Sequence, residues 1–206
     1  VYLRDIEGAR FLGFVDDNKP KGPFAESTVI GNYDDLKNFL LGRTEPVFYI
    51  TATGTNEYRE LFVKKIRQIQ NPLLQPYTLI HPSAHIGPRV TIGAGTCMAP
   101  RSVATVDVKV GAHCIVNVHV SLSHDVTVGD YTNVNPGVKL CGFVTIGPYG
   151  YIGAGSTVLD KITLGQNVTI GAGAVVTKNL PDNVTAVGVP ARIIKEKKPQ
   201  SSSFRA

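Results

Sequence analysis

No apolar run in this chain approaches the about 20 residues that a helical membrane span requires, and the N-terminus has no basic segment leading into an apolar one. We therefore expect neither a membrane-crossing helix nor a secretory leader, although an opening on Val1 rather than Met implies residues upstream. Cysteine is scarce. Cys97, Cys114 and Cys141 are odd in number and lack metal-like spacing. That argues against a disulfide framework and for reduced thiols in a cytoplasmic protein. Tryptophan is absent and aromatics make up 8% of the residues. No basic stripe is interleaved with them, so a nucleic-acid partner finds no footing. The net charge of +5 is modest, and its densest basic cluster, Lys195, Lys197 and Lys198, falls in what reads as a tail. Such a cluster is either simply solvated or attracts a phosphorylated ligand. At 43% apolar and 18% charged, the rest is an ordinary soluble globular composition, long enough for one large domain or two small ones.

What the chain does have is a period of six. Stepping from Ile80 through Ile86, Ile92 and Met98 to Val176 meets seventeen aliphatic or small apolar residues without a slip. Four places after most of them stands a second small or β-branched residue, such as Ala84, Val90, Thr96 or Ser102. The place just after the aliphatic is Gly in eight of the seventeen repeats. A six-residue period is neither helical nor a strand alternation, and it predicts a parallel β-helix. Each hexapeptide makes one short strand and one turn, with Gly expected to supply the backbone freedom of a tight corner. Three hexapeptides close an eighteen-residue coil, and coils stack at about 4.8 Å, each burying its neighbour's apolar face.

Residues 1–76 have another texture. Phe11–Val15 reads as a buried strand followed by Asp16-Asp17 and a Pro/Gly loop. Asp34–Leu41 reads as a short helix with Asn32 as a cap, Val47–Ile50 as a second strand, and Asn56–Gln70 as an amphipathic helix. Alternating strands and helices predict a small Rossmann-like α/β domain. The usual first strand and its Gly-rich phosphate loop are missing from this sequence. Ligands of such sheets bind at the carboxyl ends of strands, which points to Asp16, Asp17, Thr53 and Gly54. Asn71–Pro76 reads as a linker, 77–190 as the β-helix domain and 191–206 as a C-terminal tail.

The segments FLGFVDD, VIGNYDDL, ITATGTNEYRELFVKKI, TLIHPSAHIG, SLSHDVTVGD, PGVKLCG and VGVPAR resemble those of the NeuD/PglD-type bacterial sugar acyltransferases. This family joins a Rossmann-like domain to a left-handed β-helix, and the resemblance runs from about residue 11 to 194. It includes N-acetyltransferases of nucleotide-linked 4-amino sugars and sialic-acid O-acetyltransferases. The resemblance implies acetyl-CoA as co-substrate, a homotrimer and a role in surface-glycan synthesis.

Acetyl transfer from a thioester needs a base for the nucleophile's proton and a donor for the developing oxyanion. His124-Asp125 is the best acid–base candidate, because a carboxylate orients an imidazole and raises its basicity. The resemblance makes His124 the general base and Asp125 its partner, where the family often has Glu. Gly142 lies eighteen residues after His124, hence at the same place one coil along, about 4.8 Å away. The resemblance maps the thioester-carbonyl donor onto Gly142 and further pantetheine contacts onto the backbones of Ala154 and Ala172. A second His of the family is Asn133 here, able to hydrogen-bond a substrate but not to share a proton near neutral pH.

Two other classes compete. A γ-class carbonic anhydrase-like zinc site would use His119 and His124, five apart, but two coils before His119 stands Ser83, and His81 and His85 are out of phase. No metal is expected. His113 reads as facing solvent or a subunit contact. A non-catalytic β-helix scaffold would not need the His124, Asp125 and Gly142 arrangement. The reading is a metal-independent N-acetyltransferase, with O-acetylation of a sialic-acid-like sugar as the alternative.

Overall fold

The computed structural model describes residues 2–197. The N-terminal unit contains β1 (Phe14–Val15), β2 (Gly22–Phe24), β3 (Ser27–Gly31), α1 (Tyr33–Phe39), β4 (Val47–Tyr49), α2 (Asn56–Gln68) and β5 (Leu74–Pro76). Asn32 caps α1 as expected: its Oδ1 accepts from the Asp35 N–H, and Asp35 Oδ2 accepts from the Asn32 N–H. This unit is α/β, but its strands form two separate sheets, ordered β1-β3-β2 and β4-β5. Two segments differ from the sequence reading. The Pro/Gly loop holds the β2–β3 hairpin, with Pro23 on the edge strand, where a missing N–H does least harm. The linker forms β5, parallel to β4. Leu36, Leu40 and Val47 make the small core, with Leu12, Val15 and Leu74 against it.

From Leu79 the chain winds into a left-handed parallel β-helix of seventeen two-residue strands, β6 (Leu79–Ile80) through β22 (Val175–Val176). Strand partners are eighteen residues apart, as in Ser121↔Lys139 and Leu122↔Leu140. Three flat faces result, with eight, six and five strands; we call them first, second and third in the order the chain meets them. The period-six aliphatics from Met98 to Val176 are buried in one continuous core. Burying a Val, Leu or Ile side chain is worth about 1.5–3 kcal/mol, so each coil adds several such terms. Ile80 breaks the pattern. It is exposed while Leu79 is buried, because no earlier coil covers the open end of the prism. Inward hydroxyls are satisfied locally, as where Ser102 donates to the Ala99 carbonyl at 2.8 Å.

The corners obey a rule the sequence did not announce. Every sixth residue from Arg89 to Gly173 has a left-handed φ, and eleven of these fifteen are not glycine. The glycines directly after the aliphatics have ordinary φ, which corrects the expected reason for them. Gly93, Gly129 and Gly147 on the third corner are there for closeness: a Cβ would meet backbone of the next coil at 2.5–2.6 Å.

The C-terminal segment is not a tail through residue 197. β23 (Val184–Val187) extends the first face and β24 (Arg192–Glu196) pairs with it antiparallel. Lys197 donates to the Asn167 carbonyl at 2.6 Å and the Thr169 hydroxyl at 2.7 Å. Lys198 lies outside the described residues. No helix among the described residues is long and apolar enough to cross a membrane.

Candidate active site

The second corner follows the second face, and two consecutive coils there bring His124, Asp125, Gly142 and Phe143 together. Asp125 has a left-handed φ of +59°, which turns its side chain beside that of His124. His124 Nδ1 and Asp125 Oδ2 are 2.9 Å apart. Gly142 lies beneath the imidazole, so close that a Cβ would meet His124 Cε1 and Nε2 at 2.6 Å. Phe143 presents itself edge-on to the same imidazole, with centroids 5.0 Å apart at 86°. The Phe143 N–H is occupied by the His124 carbonyl and the Cys141 N–H by that of Val158. Between them, the Gly142 N–H donates to no acceptor among the described residues, and neither do those of Ala154 and Ala172 on the first corner. These unused donors fit a ligand rich in carbonyl and amide groups, such as the pantetheine arm of acetyl-CoA.

Other candidates fall elsewhere. Asn133 is 3% exposed on the first face, and its Nδ2 donates to the Gly54 carbonyl. The loop before α2 therefore covers the side chain that was expected to hydrogen-bond a substrate; its Oδ1 has no partner among the described residues. Thr53 also faces the β-helix side of its unit, with its carbonyl held by Arg59 Nη1 at 3.1 Å. Asp17 is engaged away from them: Oδ2 pairs with Lys65 Nζ at 2.8 Å and Oδ1 accepts from the Tyr33 N–H. Lys65 is ten residues beyond Thr55 along α2, roughly 15 Å at 1.5 Å per residue. Asp17 and the Thr53–Gly54 turn thus lie at different ends of α2. Asp16 is used locally, accepting from the Asn18 N–H at 2.8 Å. A cavity of about 590 Å³ is bordered by Asp17, Tyr33, Lys37 and Lys65.

His119 and His124 lie at opposite ends of the strand Ser121–Leu122, on different corners. His81 holds Ser83 Oγ and Asp5 Oδ2. Among the described residues no three His, Cys, Asp or Glu side chains gather as a metal site would require. Burial pushes the thiols of Cys97 and Cys114 up to about 11 and about 12, so neither is a ready nucleophile at neutral pH.

The sequence reading missed the junction. Arg59 on α2 is 1% exposed. Its Nε donates to the His113 carbonyl at 3.0 Å and its Nη2 to the Tyr131 carbonyl at 2.7 Å. Asn56 Nδ2 donates to the Tyr149 carbonyl at 2.9 Å. These three residues are left-handed corner residues of the third corner, whose carbonyls serve no coil-to-coil bond. Burial pushes the Arg59 guanidinium down to about 10, leaving it charged at neutral pH. His113 is 3% exposed and stacks on Tyr131 beneath α2 of its own chain, which corrects its reading as facing solvent or a subunit contact.

Neither a family model nor a curated protein matches the chain. Solved structures do. A variant of perosamine N-acetyltransferase from Caulobacter crescentus, in complex with CoA and GDP-perosamine, superposes with a TM-score of 0.81 at 29% identity, over 89% of this chain and 85% of that one. Another variant of the same enzyme is 30% identical over 82% and 78% of the two chains, with a TM-score of 0.75. The acetyltransferase domain of PglB from Neisseria gonorrhoeae, in complex with acetyl coenzyme A, gives 0.75 at 29% identity over 88% and 85%.

Proposed function

Because the chain belongs to the NeuD/PglD-type sugar acyltransferases, we propose that it carries an acetyl group from acetyl-CoA to the amino group of a nucleotide-linked 4-amino sugar in surface-glycan synthesis. The observation that carries this reading is the His124–Asp125 pair seated one coil before an unused Gly142 N–H. An amine attacks a thioester as its proton leaves, and His124 Nε2 is the acceptor for that proton. Asp125 at Nδ1 holds the ring and stabilises the imidazolium that results. The Gly142 N–H faces the charge that develops on the thioester oxygen. As the C–N bond forms and the C–S bond breaks, His124 returns its proton to the departing CoA thiolate. Ala154 and Ala172 offer their N–H groups to the pantetheine arm.

The acceptor's nucleotide belongs, in this reading, in the cavity bordered by Asp17, the chain neighbour of Asp16, where Lys37 and the Asp17-paired Lys65 supply positive charge for a diphosphate. Thr53, Gly54 and Asn133 then act indirectly, by seating the N-terminal unit. That unit sits on the third corner, one whole face away from His124 and Gly142 on the second. An acceptor held by one chain therefore reaches the base of a neighbouring chain, which supports a homotrimer. Three unpaired cysteines support a reducing, cytoplasmic setting.

O-acetylation of a sialic-acid-like sugar would use the same base, but the sugar bound in the neighbouring structures is an amino sugar. CoA release assayed across nucleotide-linked 4-amino sugars and free sialic acids tests the choice. Turnover of the amino sugars is expected, and release with sialic acids alone would reverse it.

A further inference from the structure

Phe143 occupies a backbone conformation its side chain does not favour, with φ at +60°. A left-handed φ presses Cβ toward the following carbonyl, and Gly, Asn and Asp bear that most easily. Three of the other ring-bearing corner residues are compensated by packing, while His119, also left-handed at φ +57°, is a polar ring that water solvates. His113, Tyr131 and Tyr149 form a stacked row under α2, with centroids 5.3 and 5.4 Å apart. Phe143 has no such cover. It is 50% exposed, and its one aromatic neighbour among the described residues is the His124 imidazole. The residues above and below it at the same corner position are Asp125 and Lys161, neither of which is aromatic. A strained apolar ring left half-exposed by its own chain, with the His124 imidazole as its one aromatic contact among the described residues, is poorly accounted for by the stability of the chain.

We propose that Phe143 is a positioning residue for His124, an inference that rests on His124 being the base. The imidazole is bounded on three sides. Asp125 Oδ2 fixes Nδ1, Gly142 lies beneath, and the Phe143 ring closes the third side. On that side the ring opposes other rotamers of an otherwise half-exposed side chain. Displacing a reacting group by about 1 Å can cost about 100-fold in rate.

Phe143→Asn separates this role from a structural one, because Asn suits the left-handed backbone and removes an exposed apolar ring. The expected result is a Tm raised by about 2–4 °C together with a kcat lowered about 10–100-fold and an unchanged KM for acetyl-CoA. Phe143→Tyr, which restores the ring edge, should return kcat to near the parental value. Full kcat in Phe143→Asn overturns the proposal, as does a parallel fall of Tm and kcat. His124→Asn serves as the companion measurement. If it is inactive while Phe143→Asn is fully active, only the positioning role fails; if it remains active, the base assignment fails and the inference with it.

Discussion

At the scale of single residues, Gly142 and His124 divide the work by size. Gly142 is small because the imidazole occupies the space where its side chain would be, not because its backbone needs special freedom. Spacing alone placed the two residues on adjacent coils, since the eighteen-residue coil is written in the repeat. The contact between them was not legible, because it depends on the rotamer that Asp125 and Phe143 impose. His124→Asn keeps size and hydrogen bonding but removes the proton acceptor, and should lower kcat by about 10²–10⁴-fold. Acetyl-CoA affinity, measured by calorimetry, should persist, because the proposed contacts are backbone groups on other coils. His119→Asn, on a different corner, should do far less, and a chelator should leave the parent protein unaffected. Equal losses at both histidines with sensitivity to EDTA would remove the base assignment.

At the scale of elements, α2 shows why some of the structure was readable and some not. Its apolar spacing announced an amphipathic helix, and the helix is there. Arg59 was hidden because an arginine in a helix ordinarily reads as a solvated charge. Only the assembled corner reveals carbonyls that need a donor. Arg59→Met should leave the His113, Tyr131 and Thr53 carbonyls without that donor and destabilise the protein by about 2–3 kcal/mol. Urea unfolding would register the loss, and an unchanged midpoint would show that water replaces the guanidinium at no cost. β2, and with it the hairpin, and β5 were missed for a related reason: three-residue strands containing proline carry almost no periodic signal. His113 adds a pH effect at the same junction. Burial, followed by the nearby Arg67, holds its imidazole below the ordinary range. The unfolded chain therefore takes up a proton that the folded one resists. The stability linked to His113 is complete above the ordinary value near 6.5 and declines as pH falls below it. His113→Asn, which tolerates the left-handed corner, should flatten that decline between about pH 7 and pH 5.5 in urea titrations. Identical slopes for the two proteins would assign the decline to other groups.

At the scale of the whole molecule, the period of six made the prism legible in the sequence, because every coil repeats the same inward pair. The relation of the N-terminal unit to it was not, since Arg59, Asn56 and Asn133 meet partners 54 to 94 residues away, farther than any local pattern reaches. If a neighbouring chain supplies the acceptor to His124, light scattering should give about three times the 22.1 kDa of one chain. A fully active monomer would show that one chain suffices. The unbroken register has a consequence for how such a molecule can change. Along the prism, position in the sequence and compass bearing are one coordinate. Adding or removing one residue between His124 and Gly142 would turn the following side chains inside out. A whole hexapeptide would swing the following glycine to another face, and only a step of eighteen would bring a residue back over the imidazole. Growth and loss in this region are thus quantised like teeth on a gear, and the gap between base and oxyanion donor is an integer that no gradual drift in loop length can tune.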